Sequence, residues 1–310
     1  MEIMPTTRPA GFDARVDVVV VAYNSATTLR GCVAPLVDAP GVHVIVVDNA
    51  SPDDSLGAVD GLPVTIVRAY ANDGFAAGCN LGTAHGVAPY VLLLNPDARL
   101  APADLAALVG VLDGDPGGGI VGPRILEADG ALAHSQRRFP RRASTFSQAL
   151  FLHRLWPLAA WSDELIRDPA AYERPGTPEW LSGACLLVRR TALEAVGGLD
   201  EDFFLYCEDI DLCARVRAAG WDVLYEPTAS AHHEGGVSGP REALLGIYAR
   251  NRVRYARKHE GRAAAAVEGA GVALGHATHA LASLTRPAHR RGHVAALRAL
   301  ARTSSTTGAA

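Results

Sequence analysis

The hydrophobic residues in the first third of the chain fall into short runs, and each run stops at a cluster of polar residues. Apolar runs of this kind, rich in valine, isoleucine and leucine, are typical of strands that are covered on both faces of a sheet. Strands are predicted at 17–24, 42–47, 64–67 and 90–94, and helices at 26–37, from 55, over 74–82 and at 102–112. This alternation predicts an α/β fold with a mostly parallel, doubly wound sheet.

The apolar run from Tyr90 to Leu94 ends abruptly at Asn95, Pro96 and Asp97. In a parallel sheet, ligands bind beyond the carboxyl ends of the strands, so Asp97 is predicted to face a ligand. The same edge should collect the polar residues that follow the other strands, namely Tyr23, Asn24, Asp48, Asn49 and Asp53. Each of them also suits an ordinary turn or helix cap. Several carboxylates at one edge favour a site, because they repel one another unless a cation or a hydrogen-bond donor lies between them.

Three glycines, Gly74, Gly78 and Gly82, recur at every fourth residue and therefore line one face of a predicted helix. Such a face can approach a sheet or a ligand closely. A dinucleotide-binding site would place G-x-G-x-x-G directly after the first strand, where this chain has Ala22 to Ser25. Neither that fingerprint nor a phosphate-binding P-loop is present in the sequence.

Four arginines lie between Arg137 and Arg142, ahead of apolar residues at helical spacing from Phe146 to Trp156. Arginine suits phosphate or diphosphate, and an apolar helix beside it suits an acyl or polyprenyl chain at a membrane surface. A solvated basic loop next to an ordinary core helix explains the same residues equally well.

Three carboxylates, Glu208, Asp209 and Asp211, lie within four consecutive positions at the start of a predicted helix. The helix dipole stabilises anions there, but three exceed what capping requires, and they cannot all face one way. We expect one of them to project into a site, and Asp211 to pair with Arg215 four residues later.

Two adjacent histidines, His232 and His233, are predicted in a glycine-rich loop that follows a short strand at 223–225. Adjacent histidines in such a loop are weak evidence for a metal. An oxygen-bound divalent ion at Asp97 would nevertheless accept one imidazole nitrogen.

The composition of the chain limits the class of protein that it can form. The chain has 310 residues, 49% of them hydrophobic, which is enough for a sizeable core. Its formal charge is −4, yet the part from Arg241 onward carries +9, so the basic charge is gathered in the tail. A basic tail can meet anionic lipid, nucleic acid or only water.

No uncharged apolar run approaches the roughly 20 residues of a membrane-spanning helix, and no signal peptide is apparent, so a cytoplasmic protein is expected.

Seven short motifs occur in one order along residues 16–238. They are Ala22-Tyr-Asn24, Asp48-Asn-Ala-Ser-x-Asp53, Asn72-x-Gly-Phe-Ala-x-Gly-x-Asn80, Asn95-Pro-Asp97, Trp180-Leu-Ser-Gly183, Glu208-Asp209-x-Asp211 and His233-x-x-Gly236-x-Ser238. Together they make the chain resemble inverting family 2 glycosyltransferases with the GT-A fold, of the bacterial rhamnosyltransferase kind. The stretch from Trp180 to Trp221 is similar to enzymes that add rhamnose to N-acetylglucosaminyl-diphospho-polyprenol in cell-wall linker synthesis.

This resemblance implies a role for each matching residue. Asp209 would be the catalytic base, and Asp97 the metal-binding acid of the family's DxD element, with Asn95 in place of its first acid. His233 would reach the metal, with His232 as the alternative. The donor nucleotide would be bound by Ala22, Tyr23, Asn24, Asp48, Asn49, Gly74, Asn80 and Asn95. The acceptor would lie against Trp180, Gly183 and Glu208.

The resemblance also implies the reaction. A sugar would move with inversion, and with Mg²⁺ or Mn²⁺, from a dTDP-, UDP- or GDP-linked donor, for which dTDP-L-rhamnose is the best candidate. The acceptor would be a hydroxyl of a polyprenyl-diphosphate-linked saccharide or of a polysaccharide. No nucleic-acid partner is expected. Peripheral contact with the inner face of the cell membrane is expected through residues 137–156 and the basic C-terminus.

The expected organisation is a GT-A domain at 16–239 followed by C-terminal helices at 240–302, with an extension at 1–15 and a disordered tail at 303–310. Two other functions stay open. A sugar nucleotidyltransferase shares the nucleotide-binding sheet and the metal acid, but it usually has a glycine-rich basic loop after the first strand. A non-catalytic nucleotide-sugar- or carbohydrate-binding scaffold is disfavoured, because Asp97 and Asp209 are both present.

Overall fold

The computed structural model describes residues 15–235 and 241–306, and the chain divides into two compact units. Among these residues, the first unit comprises 15–137, 169–204 and 208–235, and the second comprises 138–168, 205–207 and 241–306. Residues 138–168, which the sequence analysis assigned to the GT-A domain, are therefore grouped with the C-terminal helices. The expected N-terminal extension lies outside the described residues except for Arg15.

The first unit contains the strands. In chain order they are β1 (Val16–Ala22), β2 (Val42–Asp48), β3 (Thr65–Arg68), β4 (Tyr90–Leu94), β5 (Ala98–Leu100), β6 (Gly118–Leu126), β7 (Gln136–Arg137), β8 (Trp180–Leu181), β9 (Cys185–Arg189) and β10 (Asp222–His233). The main sheet has the order β3-β2-β1-β4-β9-β6-β10-β5, and β7 pairs with β8 in a small second sheet.

The main sheet is mostly parallel, as predicted. β3, β2, β1 and β4 run parallel to one another and β10 runs parallel to β6, whereas β9 and β5 are antiparallel to their neighbours. Every residue of β1 and β4 is buried, which is why these strands are almost uninterrupted apolar runs. The carboxyl ends of β1, β2 and β4 meet at one edge, since Ala22 pairs with Asp48, and Val20 pairs with Leu94.

The α-helices of the described residues are α1 (Leu29–Val33), α2 (Phe75–Thr83), α3 (Pro102–Gly114), α4 (Arg142–Ala149), α5 (Arg190–Ala195), α6 (Glu208–Ala218), α7 (Arg241–Glu260), α8 (Arg262–Ala282) and α9 (Pro287–Thr306). Two predicted helices are shorter than expected. The one predicted at 26–37 covers only 29–33, because Pro35 lacks the N–H that would continue it. The one predicted from 55 is a single 3₁₀ turn at Gly57–Val59.

Helix α2 packs closely against the sheet through its glycine face. A Cβ atom at Gly78 would lie 2.6 Å from the side chain of Val21, and one at Gly82 would lie 2.5 Å from that of Val19. Real Cβ atoms do not approach other atoms so closely, so both positions require glycine for this packing. The close approach predicted from the glycine spacing is confirmed for Gly78 and Gly82, whereas Gly74 precedes the helix as its N-cap.

The second unit is helical and is held together by a buried arginine. Arg252 on α7 forms salt bridges with Glu164 at 2.7 Å and with Glu268 on α8 at 2.5 Å, and it donates to Thr145 on α4 at 3.1 Å. The last helix of this unit continues to Thr306, beyond residue 302, where the tail was expected to begin. Within the described part of the chain, no helix is both long and apolar enough to cross a membrane.

Candidate active site

The loops after β1 and β2 are tied together by hydrogen bonds from their own backbone. Asn24 has a φ of +53° and donates its N–H to the Ser51 hydroxyl at 2.8 Å. One carboxylate oxygen of Asp48 accepts the Ser51 N–H at 2.9 Å. Tyr23, Asn24 and Asp48 remain partly exposed, so their side chains still have surface on which a ligand can lie.

Asp53 has a structural role between the same two loops. Its carboxylate accepts the Ala26 N–H at 2.9 Å and the hydroxyls of Ser51 and Ser55, each at 2.5 Å. Burial works against its ionisation, but the hydroxyl hydrogen bonds outweigh that effect and hold the pKa of Asp53 below its usual value. Of the acidic residues predicted at this edge, Asp53 therefore holds the two loops together.

Three residues of the expected donor set build the walls of the site with their own polar groups. Asn49 is buried and donates to Asn72 at 2.9 Å and to the Gly74 carbonyl at 3.1 Å. Asn80 exchanges two hydrogen bonds of 2.9 Å with the backbone of Leu199. The side chain of Ala22 is fully buried, and its carbonyl accepts the Asn49 N–H at 3.0 Å. These contacts fix the loops around the site rather than leaving the groups for a ligand.

Gly74, another residue of the expected donor set, is required by its backbone. Its φ is +97°, and a Cβ atom there would collide with the backbone of Phe204. Phe75 N–H donates to the carbonyl of the same Phe204 at 2.8 Å. The glycine therefore allows the start of α2 to lie against the 199–204 segment.

Asp97 is 7% exposed and lies beside His233 at the same edge of the sheet. Their Oδ1 and Nε2 atoms are 3.2 Å apart, and the Asn95 amide nitrogen lies 3.3 Å from the same Nε2. The structure corrects the expectation that both histidines lie in a glycine-rich loop, because they are the last two residues of β10. Successive strand residues point to opposite faces, and His232 is exposed while His233 lies next to Asp97. Gly236 and Ser238 of the same motif lie outside the described residues.

The donor atoms around Asp97 decide what kind of ion would fit. No group of three or more His, Cys, Asp or Glu side chains that could hold a metal occurs in residues 15–235 and 241–306. Two protein ligands do not enclose Mg²⁺ or Mn²⁺, but such ions commonly bind through one or two side chains and complete their coordination with substrate phosphate oxygens. The pair of Asp97 and His233 therefore fits an ion that is shared with a diphosphate.

Asp209, the predicted catalytic base, is held by backbone hydrogen bonds. One oxygen of Asp209 accepts the Gly183 N–H at 3.0 Å, and the other accepts the Ile210 N–H at 2.8 Å. A Cβ atom at Gly183 would lie 3.2 Å from the Cβ of Asp209, so the glycine allows this close approach. The carboxylate is consequently fixed by two backbone donors.

A backbone hydrogen bond joins the segment that carries Asp97 to the segment that binds Asp209. Asn95 N–H donates to the Ala184 carbonyl at 3.0 Å, and Ala184 directly follows Gly183. β9 begins where β4 ends, because Leu94 pairs with Cys185 across the antiparallel pair. The turn that carries Asp97 and the contact that anchors Asp209 thus adjoin at one edge of the sheet.

Glu208 and Asp209 are adjacent but have different surroundings. Glu208 is 6% exposed, and its Oε2 atom has no hydrogen-bond partner among the described residues. Burial and the neighbouring charge of Asp209 raise the pKa of Glu208 well above its usual range. Burial also raises the pKa of Asp209, but the N–H groups of Gly183 and Ile210 and the charge of Arg137 oppose that rise. Of the two, Asp209 is the one equipped to be an anion, and Glu208 has little surface left for an acceptor.

The remaining predicted residues of this region are Asp211 and Trp180. Asp211 is buried and pairs with Arg215 at 2.7 Å, which confirms the predicted i,i+4 salt bridge. Trp180 is 4% exposed and pairs with Arg137 across β7 and β8, with the guanidinium carbon 5.1 Å from the centre of the indole ring. Arg137 was not predicted as part of this site, because no spacing rule links residue 137 to residues 180 and 209.

Comparisons with known proteins identify the family and the fold of the chain. Residues 17–197 match the family described as Glycosyl transferase family 2. The N-acetylglucosaminyl-diphospho-decaprenol L-rhamnosyltransferase of Mycobacterium tuberculosis (strain CDC 1551 / Oshkosh) is 33% identical over 264 residues, which cover 79% of this chain and 85% of that protein.

Solved structures show the same fold at low identity. The mannosyltransferase PcManGT from Pyrobaculum calidifontis, in complex with GDP-Man and Mn²⁺, is 19% identical with a TM-score of 0.55, covering 94% of this chain and 87% of that one. GalNAc-T7 with UDP, GalNAc and Mn²⁺ is 16% identical with a TM-score of 0.55, covering 81% of this chain and 51% of that one. The family match, the rhamnosyltransferase relative and the sheet topology lead to one conclusion: the chain belongs to glycosyl transferase family 2 and is a glycosyltransferase with the GT-A fold.

Proposed function

We propose that this glycosyltransferase moves L-rhamnose from dTDP-rhamnose to a hydroxyl of N-acetylglucosaminyl-diphospho-polyprenol, with inversion at the anomeric carbon. The observation that carries the proposal is the anchoring of Asp209 by the Gly183 N–H next to the turn that holds Asp97. The name of the mycobacterial relative supports the choice of sugar and acceptor.

In the proposed reaction, Asp209 accepts the proton of the acceptor hydroxyl as that oxygen bonds to the sugar carbon. Its two backbone hydrogen bonds keep one carboxylate orientation, so little reorganisation is needed. A single displacement needs one base and one stabilised leaving group, and no covalent intermediate. Trp180 and Gly183 border the acceptor, and Tyr23, Asn24 and Asp48 border the donor nucleotide.

Asp97 and His233 are the residues that would hold Mg²⁺ or Mn²⁺, with Asn95 beside them. When bound, such an ion neutralises the negative charge that develops on the departing diphosphate. The complexes of PcManGT and GalNAc-T7 contain Mn²⁺ together with a nucleotide sugar or a nucleotide, which supports a divalent ion in this chain as well.

The acceptor lipid places the reaction at the inner face of the cell membrane. Within the proposed function, the second unit meets that surface through the apolar part of residues 137–156 and through the basic C-terminal helices. No nucleic acid takes part.

A panel of labelled donors tests the proposal. The protein is incubated with dTDP-rhamnose, UDP-sugars or GDP-sugars, with Mn²⁺ or with excess EDTA, and with a short-chain N-acetylglucosaminyl-diphospho-lipid. We expect transfer from dTDP-rhamnose that EDTA abolishes. Exchange of pyrophosphate into the donor would instead identify a nucleotidyltransferase, and binding without turnover would identify a non-catalytic scaffold.

A further inference from the structure

The four arginines between residues 137 and 142 do not act as one cluster. Arg138 donates to the Leu165 carbonyl at 3.2 Å, and the guanidinium of Arg142 lies 3.4 Å from the carboxylate of Glu260. The backbone of Arg141 exchanges hydrogen bonds with the Ser144 hydroxyl at the start of α4. These three residues belong to the second unit, where the guanidinium groups of Arg138 and Arg142 have the partners just named.

Arg137 is different, because it lies on β7 in the first unit, and its main contact is the face of Trp180. Its Nε atom is buried and has no hydrogen-bond partner in the described part of the chain. No salt bridge joins Arg137 to a carboxylate of those residues. The side chain as a whole is half-buried, so a cation whose Nε is sealed without a partner still has guanidinium surface to offer, and this arrangement points to an anion that comes from outside the chain.

The position of Arg137 indicates which side of the reaction that anion belongs to. Arg137 lies over the ring of Trp180, three residues before Gly183, whose N–H binds the catalytic base Asp209, and its charge also opposes the rise in the pKa of that carboxyl. Both oxygens of Asp209 nevertheless take their hydrogen bonds from backbone N–H groups. In the proposed function, Asp97 and His233 hold the ion that binds the donor diphosphate, whereas Trp180 and Gly183 border the acceptor.

Stacking on an indole ring leaves the edge of a guanidinium free. The ring covers one face of the planar group, while the N–H groups of the two terminal nitrogens lie in the plane, where they match two phosphate oxygens. We propose that Arg137 binds the diphosphate of the lipid-linked acceptor and so makes the enzyme select a diphosphate-bearing acceptor over a neutral glycoside. This inference rests on the proposed transfer to such an acceptor.

Two acceptors that differ only in the diphosphate test this assignment. The first is N-acetylglucosaminyl diphosphate on a short, water-soluble prenyl chain, and the second is an alkyl β-N-acetylglucosaminide without phosphate. The variants are Arg137→Gln, which keeps a planar polar end group but removes the charge and shortens the side chain, and Arg137→Lys, which keeps the charge but not the fork. We expect Arg137→Gln to raise KM for the diphosphate acceptor about 10- to 100-fold and to change kcat/KM for the neutral acceptor less than about threefold. Arg137→Lys should fall between the wild type and Arg137→Gln.

Arg142→Ala is the matched control, because it removes a guanidinium of the same run that is already paired with Glu260. It should leave both acceptors unaffected. An equal loss on both acceptors in Arg137→Gln would mean that Arg137 only positions Trp180 or Asp209, and would overturn the proposal. A wild-type enzyme that uses both acceptors equally well would overturn it too, while leaving sugar transfer intact. Absence of transfer to either acceptor would instead count against the proposed function itself.

Discussion

At the scale of single residues, the site depends on two adjacent carboxyl groups, Glu208 and Asp209, whose surroundings differ. Asp209 has backbone donors on both oxygens, whereas Oε2 of Glu208 has no partner among the described residues. Burial raises the pKa of the Cys79 thiol, and the nearby Glu208 carboxyl adds to that rise. A protonated Glu208 beside an ionised Asp209 avoids placing two negative charges in one buried site.

The raised pKa of Glu208 predicts how stability depends on pH. In the folded state the carboxyl stays protonated, whereas in the unfolded chain it ionises near its ordinary pKa, so the unfolded state binds fewer protons at neutral pH. The contribution of Glu208 to the free energy of unfolding is therefore present below the pKa that its carboxyl has in the unfolded chain. It is lost as the pH rises toward the higher pKa of the folded state. We expect Glu208→Gln to raise Tm at pH 8 by at least about 2 °C, and to raise it less at pH 4.

Thermal unfolding between pH 4 and pH 8 measures this difference. The control is Glu194→Gln on α5, because Glu194 is exposed and its substitution should give no pH-dependent change. A Glu208→Gln protein that is less stable than the wild type at pH 8 would show that the buried carboxyl is ionised in the folded state.

At the scale of helices and strands, the glycine face of α2 carries the most specific packing of the described helices. The Cβ atom of an alanine at position 82 would lie 2.5 Å from Val19 and 2.9 Å from Val47. Gly110 on α3 is a matched contrast, since a Cβ atom there would meet no other described atom within 4 Å. The two glycines are thus in helices of the same unit, but only one is required by packing.

The expected effects of the two alanine substitutions have opposite signs. Gly82→Ala should lower the free energy of unfolding by about 1–3 kcal/mol, because the strand side chains have to move. Gly110→Ala should raise it by about 0.5–1 kcal/mol, since alanine is the better helix former. Chemical denaturation measures both values, and a Gly82→Ala protein as stable as Gly110→Ala would contradict the close packing of α2 on the sheet.

The same scale shows what could be predicted from sequence. The strands of the first half are local apolar runs with turn residues after them, so their positions along the chain and their common edge follow from the pattern, and β4 begins and ends as predicted. β10 has a mixed pattern because it pairs with β6 and β5, and its register shifts between Glu226 and Ser230, so only its first residues were predicted as a strand. That is why His232 and His233 were assigned to a loop. Arg137 joins the site through pairing across β7 and β8, which no local pattern reveals.

At the scale of the whole molecule, most of the large exposed apolar side chains of the described residues lie in the second unit. Those on two neighbouring segments are Leu150, Leu155, Trp156, Leu158, Trp161, Leu281 and Leu284. The segments lie side by side, because Phe151 stacks on His279 with ring centres 4.5 Å apart, and Thr278 donates to the Ala149 carbonyl at 2.6 Å. The same segments carry Arg154 and Arg286. Apolar side chains accompanied by arginine suit an anionic membrane surface.

Flotation with liposomes tests that surface. We expect the protein to float with vesicles that contain phosphatidylglycerol, and the double variant Trp156→Ser with Leu158→Ser to lose at least about tenfold in vesicle affinity, because each side chain gives up apolar burial. Val87→Ser, which removes an exposed apolar side chain from the first unit, is the control and should float like the wild type. Equal flotation of all three proteins would exclude this surface from membrane binding.

In the proposed mechanism, Asp209 removes the acceptor proton at a site that adjoins Asp97, and both residues belong to the first unit. The most direct measurement compares sugar transfer and donor binding in Asp209→Asn and in the wild type, with the exposed hairpin variant Asp129→Asn as the control. The account predicts that kcat falls by about 10²- to 10⁴-fold in Asp209→Asn, while stabilisation by the nucleotide sugar and Mn²⁺ stays within about threefold in apparent affinity. Unchanged turnover in Asp209→Asn would contradict it.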